Sequence, residues 1–256
     1  MRILITNDDG IHSPGLEFLE EIARELSDDV WTVAPEFDQS GVSHSLSLSD
    51  PLRLRQVAER RFAVKGTPTD CVIMGTRHVI KDLRPDLVLS GINRGQNVAE
   101  DVTYSGTVAG ATEGTILGIP SIALSQAYGR SGRANIKWHC ARHHGAETIR
   151  RIVDVGIPDG TLMNINFPDC EPEEVQGIAV TAQGKRDKEL LSIEERADGR
   201  GNPYFWIGFA RKHYDPGNGT DLLALVQNRI SVTPLRLDMT DEPTMTHFAQ
   251  ALAQGN

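Results

Sequence analysis

Residues 1–15, MRILITNDDGIHSPG, carry the reading of this chain. Ile3, Leu4 and Ile5 form a short apolar run that stops at Thr6-Asn7-Asp8-Asp9-Gly10. An apolar run of that length, closed by turn residues, reads as a buried strand. Pro14 then stands ahead of Leu16, Leu19, Ile22, Ala23 and Leu26, which recur at helical spacing. Strand, tight turn and helix in that order open a βα unit. Asp8 and Asp9 repel each other at the mouth of that unit, and a bound cation is the obvious compensation.

The same alternation continues outward. Residues 30–34, 87–92, 119–124 and 162–167 read as strands. Residues 72–80 and 108–117 read as helices, and 134–155 contains a longer one. Strands alternating with helices predict an α/β fold, a mostly parallel sheet with helices on both faces. Ligands in such sheets bind at the carboxyl ends of the strands. After about Pro168 the character changes. Gly, Asp and Arg crowd the stretch AQGKRDKELLSIEERADGRGNP, followed by the aromatic run YFWIGFA and the polar turn DPGNGTD. RISVTPLRL reads as a strand and EPTMTHFAQALA as a short terminal helix. The expected division is a catalytic core over residues 1–168 and a β-rich extension over 169–256, partly packed on the core. Extended arms of this kind pair with other subunits, so an oligomer is expected.

Composition narrows the function classes. Lys+Arg total 26 against 35 for Asp+Glu, a net charge of −9 over 256 residues. General nucleic-acid binding needs clustered Lys and Arg and is not expected. Cys71, Cys140 and Cys170 are odd in number and widely spaced, with no CxxC, which argues against a disulfide framework or structural zinc. The start lacks the apolar core of a signal peptide, and no apolar run is long enough to cross a bilayer. A soluble, cytoplasmic protein without membrane contact is the expectation.

Four polar stretches fall where the carboxyl edge of the sheet is expected: NDDG at 7–10, APEFDQSG at 34–41, SGINRGQN at 90–97 and YSGTVAG at 104–110. Each alone is a turn or a helix cap. Together, at successive strand ends, they form a site. Asp8 and Asp9 offer carboxylates, Ser40 a hydroxyl and Asn93 an amide oxygen. An all-oxygen set suits Mg²⁺ or Mn²⁺ rather than zinc. Ser105, Gly106 and Thr107 stand where a helix begins, so unpaired N–H groups and the helix dipole favour an anion there. A metal beside an anion pocket is a layout for phosphate-ester hydrolysis. No GxxxxGK[ST] occurs, and no GxGxxG follows the first strand.

Other polar residues are weaker candidates. His44 could donate a proton to a leaving group, or be a loop histidine held by hydrogen bonds. His139, His143 and His144 read as a surface helix face rather than a metal site. Asp70, in GTPTDCV, fits the first turn of a helix and could line the substrate pocket. The aromatic run at 204–209 reads as packing rather than a stacking platform for a nucleoside.

ILITNDDG, APEFDQSG, GTPTDCV, SGINRGQN, YSGTVAGATEG and ISVTPL, taken in order from Met1 to about Leu237, resemble the SurE family of survival-protein-E 5'/3'-nucleotidases. Each motif is short, and the ordered set covers nearly the whole chain. The resemblance implies a metal-dependent, acid-type phosphohydrolase of nucleoside 5'-monophosphates, with 3'-monophosphates and short polyphosphate as further substrates of some members. It implies one divalent cation per subunit on Asp8, Asp9, Ser40 and Asn93, the set that donor chemistry also selects. It places phosphate on Asn97, Ser105, Gly106 and Thr107. It implies a Rossmann-like core and a C-terminal arm, here about residues 204–256, that swaps between subunits to give homodimers or homotetramers.

Two routes of hydrolysis stay open from the residues. Water activated beside the cation attacks phosphorus, with Asp8 or Asp9 accepting the proton. Alternatively an Asp carboxylate attacks and forms an aspartyl-phosphate. Outside hydrolysis, the alternatives are a nucleotide-binding protein without turnover and a sugar-nucleotide transferase. A full set of metal donors counts against the first. The lack of a separate nucleotide-diphosphate half counts against the second.

Overall fold

Ile3, Leu4 and Ile5 of strand β1 (Arg2–Thr6) are fully buried. A strand apolar on both faces belongs at the centre of a covered parallel sheet. Because successive side chains point to opposite faces, Ile3 and Ile5 pack with Leu16, Leu19, Ile22 and Ile149, whereas Leu4 packs with Val33, Val72 and Val88. The computed structural model describes residues 1–81, 83–129, 132–186, 191–209 and 216–253. Residues 187–190 of the charged stretch, and 210–215 and 254–256 of the arm, lie outside the described residues.

The further elements are α1 (Pro14–Arg24), β2 (Asp29–Pro35), β3 (Leu54–Ala58), β4 (Arg61–Val64), α2 (Pro68–Met74), β5 (Leu87–Arg94), α3 (Gly106–Ile116), β6 (Ser121–Gln126), α4 (Trp138–Val155) and β7 (Thr161–Phe167). After them come β8 (Ile178–Val180), β9 (Leu191–Ala197), β10 (Pro203–Phe209), α5 (Asp221–Val226), β11 (Ile230–Arg236) and α6 (Glu242–Ala253). The main sheet runs β3-β4-β2-β1-β5-β6-β7-β11-β8. Strands β4 through β7 pair in parallel, β3 and β11 meet their neighbours β4 and β7 antiparallel, and β8 lies parallel to β11. Helices α1 and α4 cover one face, and α2 and α3 the other. The α/β class with helices on both faces is as the residue pattern predicts.

Strand order reverses between β1 and β5. From β1 the chain steps outward to β2, and β5 then returns to the other flank of β1, with Ile3 beside Leu87 and Thr6 beside Ser90. A crevice opens at such a reversal, outside the carboxyl ends of the two strands. Asp8, Asp9 and Asn93 lie there.

The helix expected over 72–80 begins earlier, at Pro68. Thr67 caps it and Asp70 returns the bond to the Thr67 N–H, a reciprocal box that sets the start. It gives way after Met74 to a π-helical turn, Gly75–Val79. The hairpin β3–β4 and the short helix α5 were not legible: β3 is a polar edge strand, and α5 has too few residues for a periodic signal. The strand at 230–236, assigned by sequence to the extension, enters the main sheet beside β7 and buries Ile230 and Val232. The aromatic run, read as packing, finds no partner layer within the described residues of a single chain. Phe205, Trp206 and Ile207 stand exposed on the two-stranded β9–β10 sheet, because among the described residues no further layer covers it.

Candidate active site

The turn after β1 is organised by Asn7, which is buried. Its Nδ2 donates to the Gly10 carbonyl at 3.0 Å and to Ser13 Oγ at 2.7 Å. That brace ties the strand end to the start of α1 and sends Asp8 and Asp9 toward the crevice. Asp8 is only 4% exposed. Thr107 Oγ1, at the start of α3, donates to Asp8 Oδ1 at 2.5 Å.

Helix α3 comes this close because of its small residues. A Cβ at Gly106 would stand 2.7 Å from the Asp8 Cβ, and one at Gly110 would stand 2.7 Å from Ser90 Oγ. Glycine at both positions lets the helix lie directly on the strand ends. Ser105 caps the helix, its Oγ accepting from the Val108 N–H at 3.0 Å. The expected anion site therefore abuts the expected cation site.

Burial, reinforced by the negative charge of Asp9 and then of Asp38, raises the Asp8 carboxyl from 3.8 to about 7, while the Thr107 bond pulls it down. Asp9 Oδ2 accepts from the Arg94 N–H at 3.1 Å, which brings Asp9 beside Asn93. Asn93 Nδ2 donates to the Gly95 carbonyl at 2.8 Å, leaving the amide oxygen as the atom open to a cation. Asn93 is aimed by an irregularity in β5. The register with β6 shifts between Ser90 and Asn93, at a cis Gly91–Ile92 bond. Gly91 has φ +144°, and a Cβ there would collide with the Leu124 carbonyl. Bulges re-aim side chains in this way at functional edges.

The Ser40 loop reaches the same edge. The Gln39 N–H donates to the Asp8 carbonyl at 2.7 Å, and the Ser40 N–H to Asp38 Oδ1 at 2.7 Å. Ser40 is exposed. The loop is tied further on by Ser43 Oγ to the Thr103 carbonyl (2.7 Å) and by His44 Nε2 to Glu113 Oε2 (2.9 Å). His44 is thus a loop histidine paired with a buried carboxylate on α3. Asp70 is committed to the Thr67 cap and to the Ser47 N–H, and holds this loop rather than opening into a pocket. On α4, His139 and His143 are exposed and His144 bonds the Pro172 carbonyl, as a surface helix face requires.

Asn97 sits on a buried polar network that single motifs do not reveal. Its N–H donates to Asn166 Oδ1 (2.8 Å) and its Nδ2 to Ser125 Oγ (2.9 Å), and its carbonyl accepts from Asn164 and Asn166. The signal was present in TLMNINF, a strand with two asparagines on its buried positions. Ser125 is also the register partner of Asn93, so Asn97 stands one strand across from the carboxylates.

Among the described residues no three His, Cys, Asp or Glu side chains cluster as metal ligands. Any cation here draws on the hydroxyl and amide oxygens as well as the two aspartates. That set fits a hard divalent ion. A dication would also reverse the burial penalty on Asp8, since its positive charge favours the ionised carboxylate.

A family model described as Survival protein SurE matches residues 3–190. The chain is 76% identical over 250 residues to the 5'-nucleotidase SurE of Methylobacterium nodulans, covering 98% of this chain and 99% of that protein. It is 66% identical over 252 residues to the 5'-nucleotidase SurE of Methylocella silvestris, covering 98% and 100%. Among solved structures it is similar to the SurE protein of Aquifex aeolicus, with a TM-score of 0.84, 42% identity, and 96% and 98% of the two chains covered.

Proposed function

This chain belongs to the SurE family of survival proteins, and on that premise we propose that it is a 5'-nucleotidase, a phosphomonoesterase that splits nucleoside 5'-monophosphates into nucleoside and phosphate. Nucleoside 3'-monophosphates and short polyphosphate are further substrates in this reading. One divalent cation per subunit, Mg²⁺ or Mn²⁺, is held by Asp8, Asp9, Ser40 and Asn93. The observation that carries the reading is the 2.5 Å contact of Thr107 Oγ1 with Asp8 Oδ1, which joins a buried carboxylate at the sheet's reversal to the N-terminus of α3.

When bound, the cation neutralises charge and polarises the phosphoryl group and water around it. The chain's own residues supply the rest. The N-terminus of α3, with Ser105, Gly106 and Thr107, binds the phosphate through backbone N–H groups and the Ser105 hydroxyl, the Thr107 hydroxyl being given to Asp8. Asn97, fixed by Asn166 and Ser125, borders the phosphate from the next strand. Thr107 orients Asp8 through Oδ1, and Asp8 and Asp9 are the carboxylates that receive a proton or contact phosphorus. Burial of Asp8 keeps the edge water-poor, where such charges act most strongly.

The protein works in the cytoplasm as a homodimer or homotetramer in this reading. Three buried cysteines without a disulfide fit that compartment. The exposed Phe205, Trp206 and Ile207 on β10 and Met245, Phe248 and Leu252 on α6 fit an arm that is covered by another subunit. The division falls at residue 168 in this reading, and β8, α5 and β11 are among the parts of the second segment that pack on the core.

The test is phosphate release from a panel of nucleoside 5'- and 3'-monophosphates and tripolyphosphate. EDTA-stripped protein is resupplied with Mg²⁺ or Mn²⁺, beside an Asp9→Asn control. Metal-dependent release that collapses in the control is expected. No release by folded protein with either ion sinks the reading.

A further inference from the structure

Residues 97–104 link the candidate cation edge to the candidate phosphate helix, with Asn97 at one end and Ser105 just beyond the other. Apart from a short 3-10 turn, Ala99–Thr103, the segment has no regular structure. One side of it rests on Asn164, Asn166 and Ser125.

The other side is gripped by residues from far along the chain. Ala99, with φ +53°, is held at both backbone groups. Its N–H donates to Asp221 Oδ2 (2.9 Å), and its carbonyl accepts from Gln183 Nε2 (3.0 Å). Asp221, fully buried, also accepts from the N–H groups of Gly184 (2.9 Å) and Leu222 (2.8 Å). Arg186 closes the grip. Its N–H donates to Glu100 Oε2 (2.8 Å), and its guanidinium forks onto Asp101, Nε to Oδ1 at 3.0 Å and Nη2 to Oδ2 at 2.5 Å. Both side chains of that pair are 14% exposed. The Tyr104 N–H, next to Ser105, donates to the Asp101 carbonyl at 3.1 Å.

A bidentate, largely buried Arg–Asp pair fixes orientation as well as distance. Here it is applied four residues before the helix cap, on a segment that has little rigidity of its own. Resting on the phosphate role proposed above, we infer that Arg186 is a positioning residue for the phosphate end of the substrate, acting through Asp101 on the segment from Asn97 to Ser105. Its bonds to Glu100 and Asp101 fall on the segment that leads into Ser105, so the phosphate end is the part that they hold in place.

The experiment compares the parent with Arg186→Ala, Arg186→Lys, Asp101→Ala and the double Ala variant, each checked for folding by thermal melting. Kinetics on a nucleoside monophosphate at saturating Mn²⁺ and inhibition by inorganic phosphate read the phosphate end. Calorimetric titration of Mn²⁺ into substrate-free protein reads the cation end. Arg186→Ala is expected to raise KM and the phosphate inhibition constant by about tenfold or more, since small misplacements cost that much. Mn²⁺ affinity is expected to stay within about twofold of the parent, because the fork is made to Asp101, in the segment that leads into α3. Arg186→Lys, which keeps the charge and loses the fork, falls between, and it decides the matter if the Ala variant does not fold. The double variant is no worse than either single. Unchanged KM and phosphate inhibition in folded variants overturns the inference, and so does Mn²⁺ affinity falling in parallel. A parent that neither hydrolyses nor is inhibited by phosphate marks failure of the nucleotidase reading itself.

Discussion

EDTA-stripped protein is expected to lose stability as pH rises through the weakly acidic range, because of Asp8. Burial first, and the charge of Asp9 second, lift its carboxyl from 3.8 to about 7 in the folded chain. Unfolded, the group titrates near its ordinary value. Between those two values the folded state holds a proton that the unfolded state has released, so stability falls with rising pH. The contribution is fully present below pH 3.8, declines through the window, and is gone above about 7. A gap of that size amounts to roughly 4 kcal/mol, at about 1.4 kcal/mol for each tenfold. The assay is urea unfolding at several pH values between 4 and 8 in EDTA, for the parent and Asp8→Asn. Asn keeps the shape and an acceptor for Thr107 but does not titrate. With a urea slope of about 3 kcal/mol/M, the difference between the two midpoints should move by about 1 M across the window. Saturating Mn²⁺ should abolish most of that movement, because a cation favours the ionised carboxylate. A difference between parent and Asp8→Asn that does not change with pH refutes the reasoning.

Three other outcomes are expected. Gly106→Ala puts a Cβ 2.7 Å from that of Asp8 and should lower phosphate release about 100-fold, with the far-UV spectrum unchanged; near-parent turnover would contradict the close approach of α3. Glu20→Ala removes the partner that Arg61 meets at 3.0 Å and Thr32 meets at 2.8 Å, and should cost roughly 3 kcal/mol in urea unfolding. Thr67→Ala breaks the capping box at the start of α2 and should cost about 1 kcal/mol, a fall of roughly 2–4 °C in Tm by calorimetry.

Much of this protein is legible along the chain. Buried parallel strands must be apolar on both faces, so residues 2–6, 87–92 and 162–167 stand out as short hydrophobic runs, and α1 and α4 show helical periodicity between them. Asp8, Asp9, Ser40 and the Ser105 cap could be singled out because each lies in a turn after a strand or at the start of a helix, where local sequence dictates local backbone, and Asn93 because it stands in the polar end of an apolar strand run. Tertiary structure decided the rest. Strand order put β5 beside β1, and only that reversal makes neighbours of Asp9 and the Asn93 segment. The raised Asp8 carboxyl depends on burial beneath α3, a property of packing that adjacent residues do not carry. Asn97 reaches its partners across 69 residues, and Arg186 reaches Asp101 across 85. Hydrogen bonds of that separation leave no periodicity or spacing in a single sequence, because any position could in principle be brought to any other until the sheet is assembled.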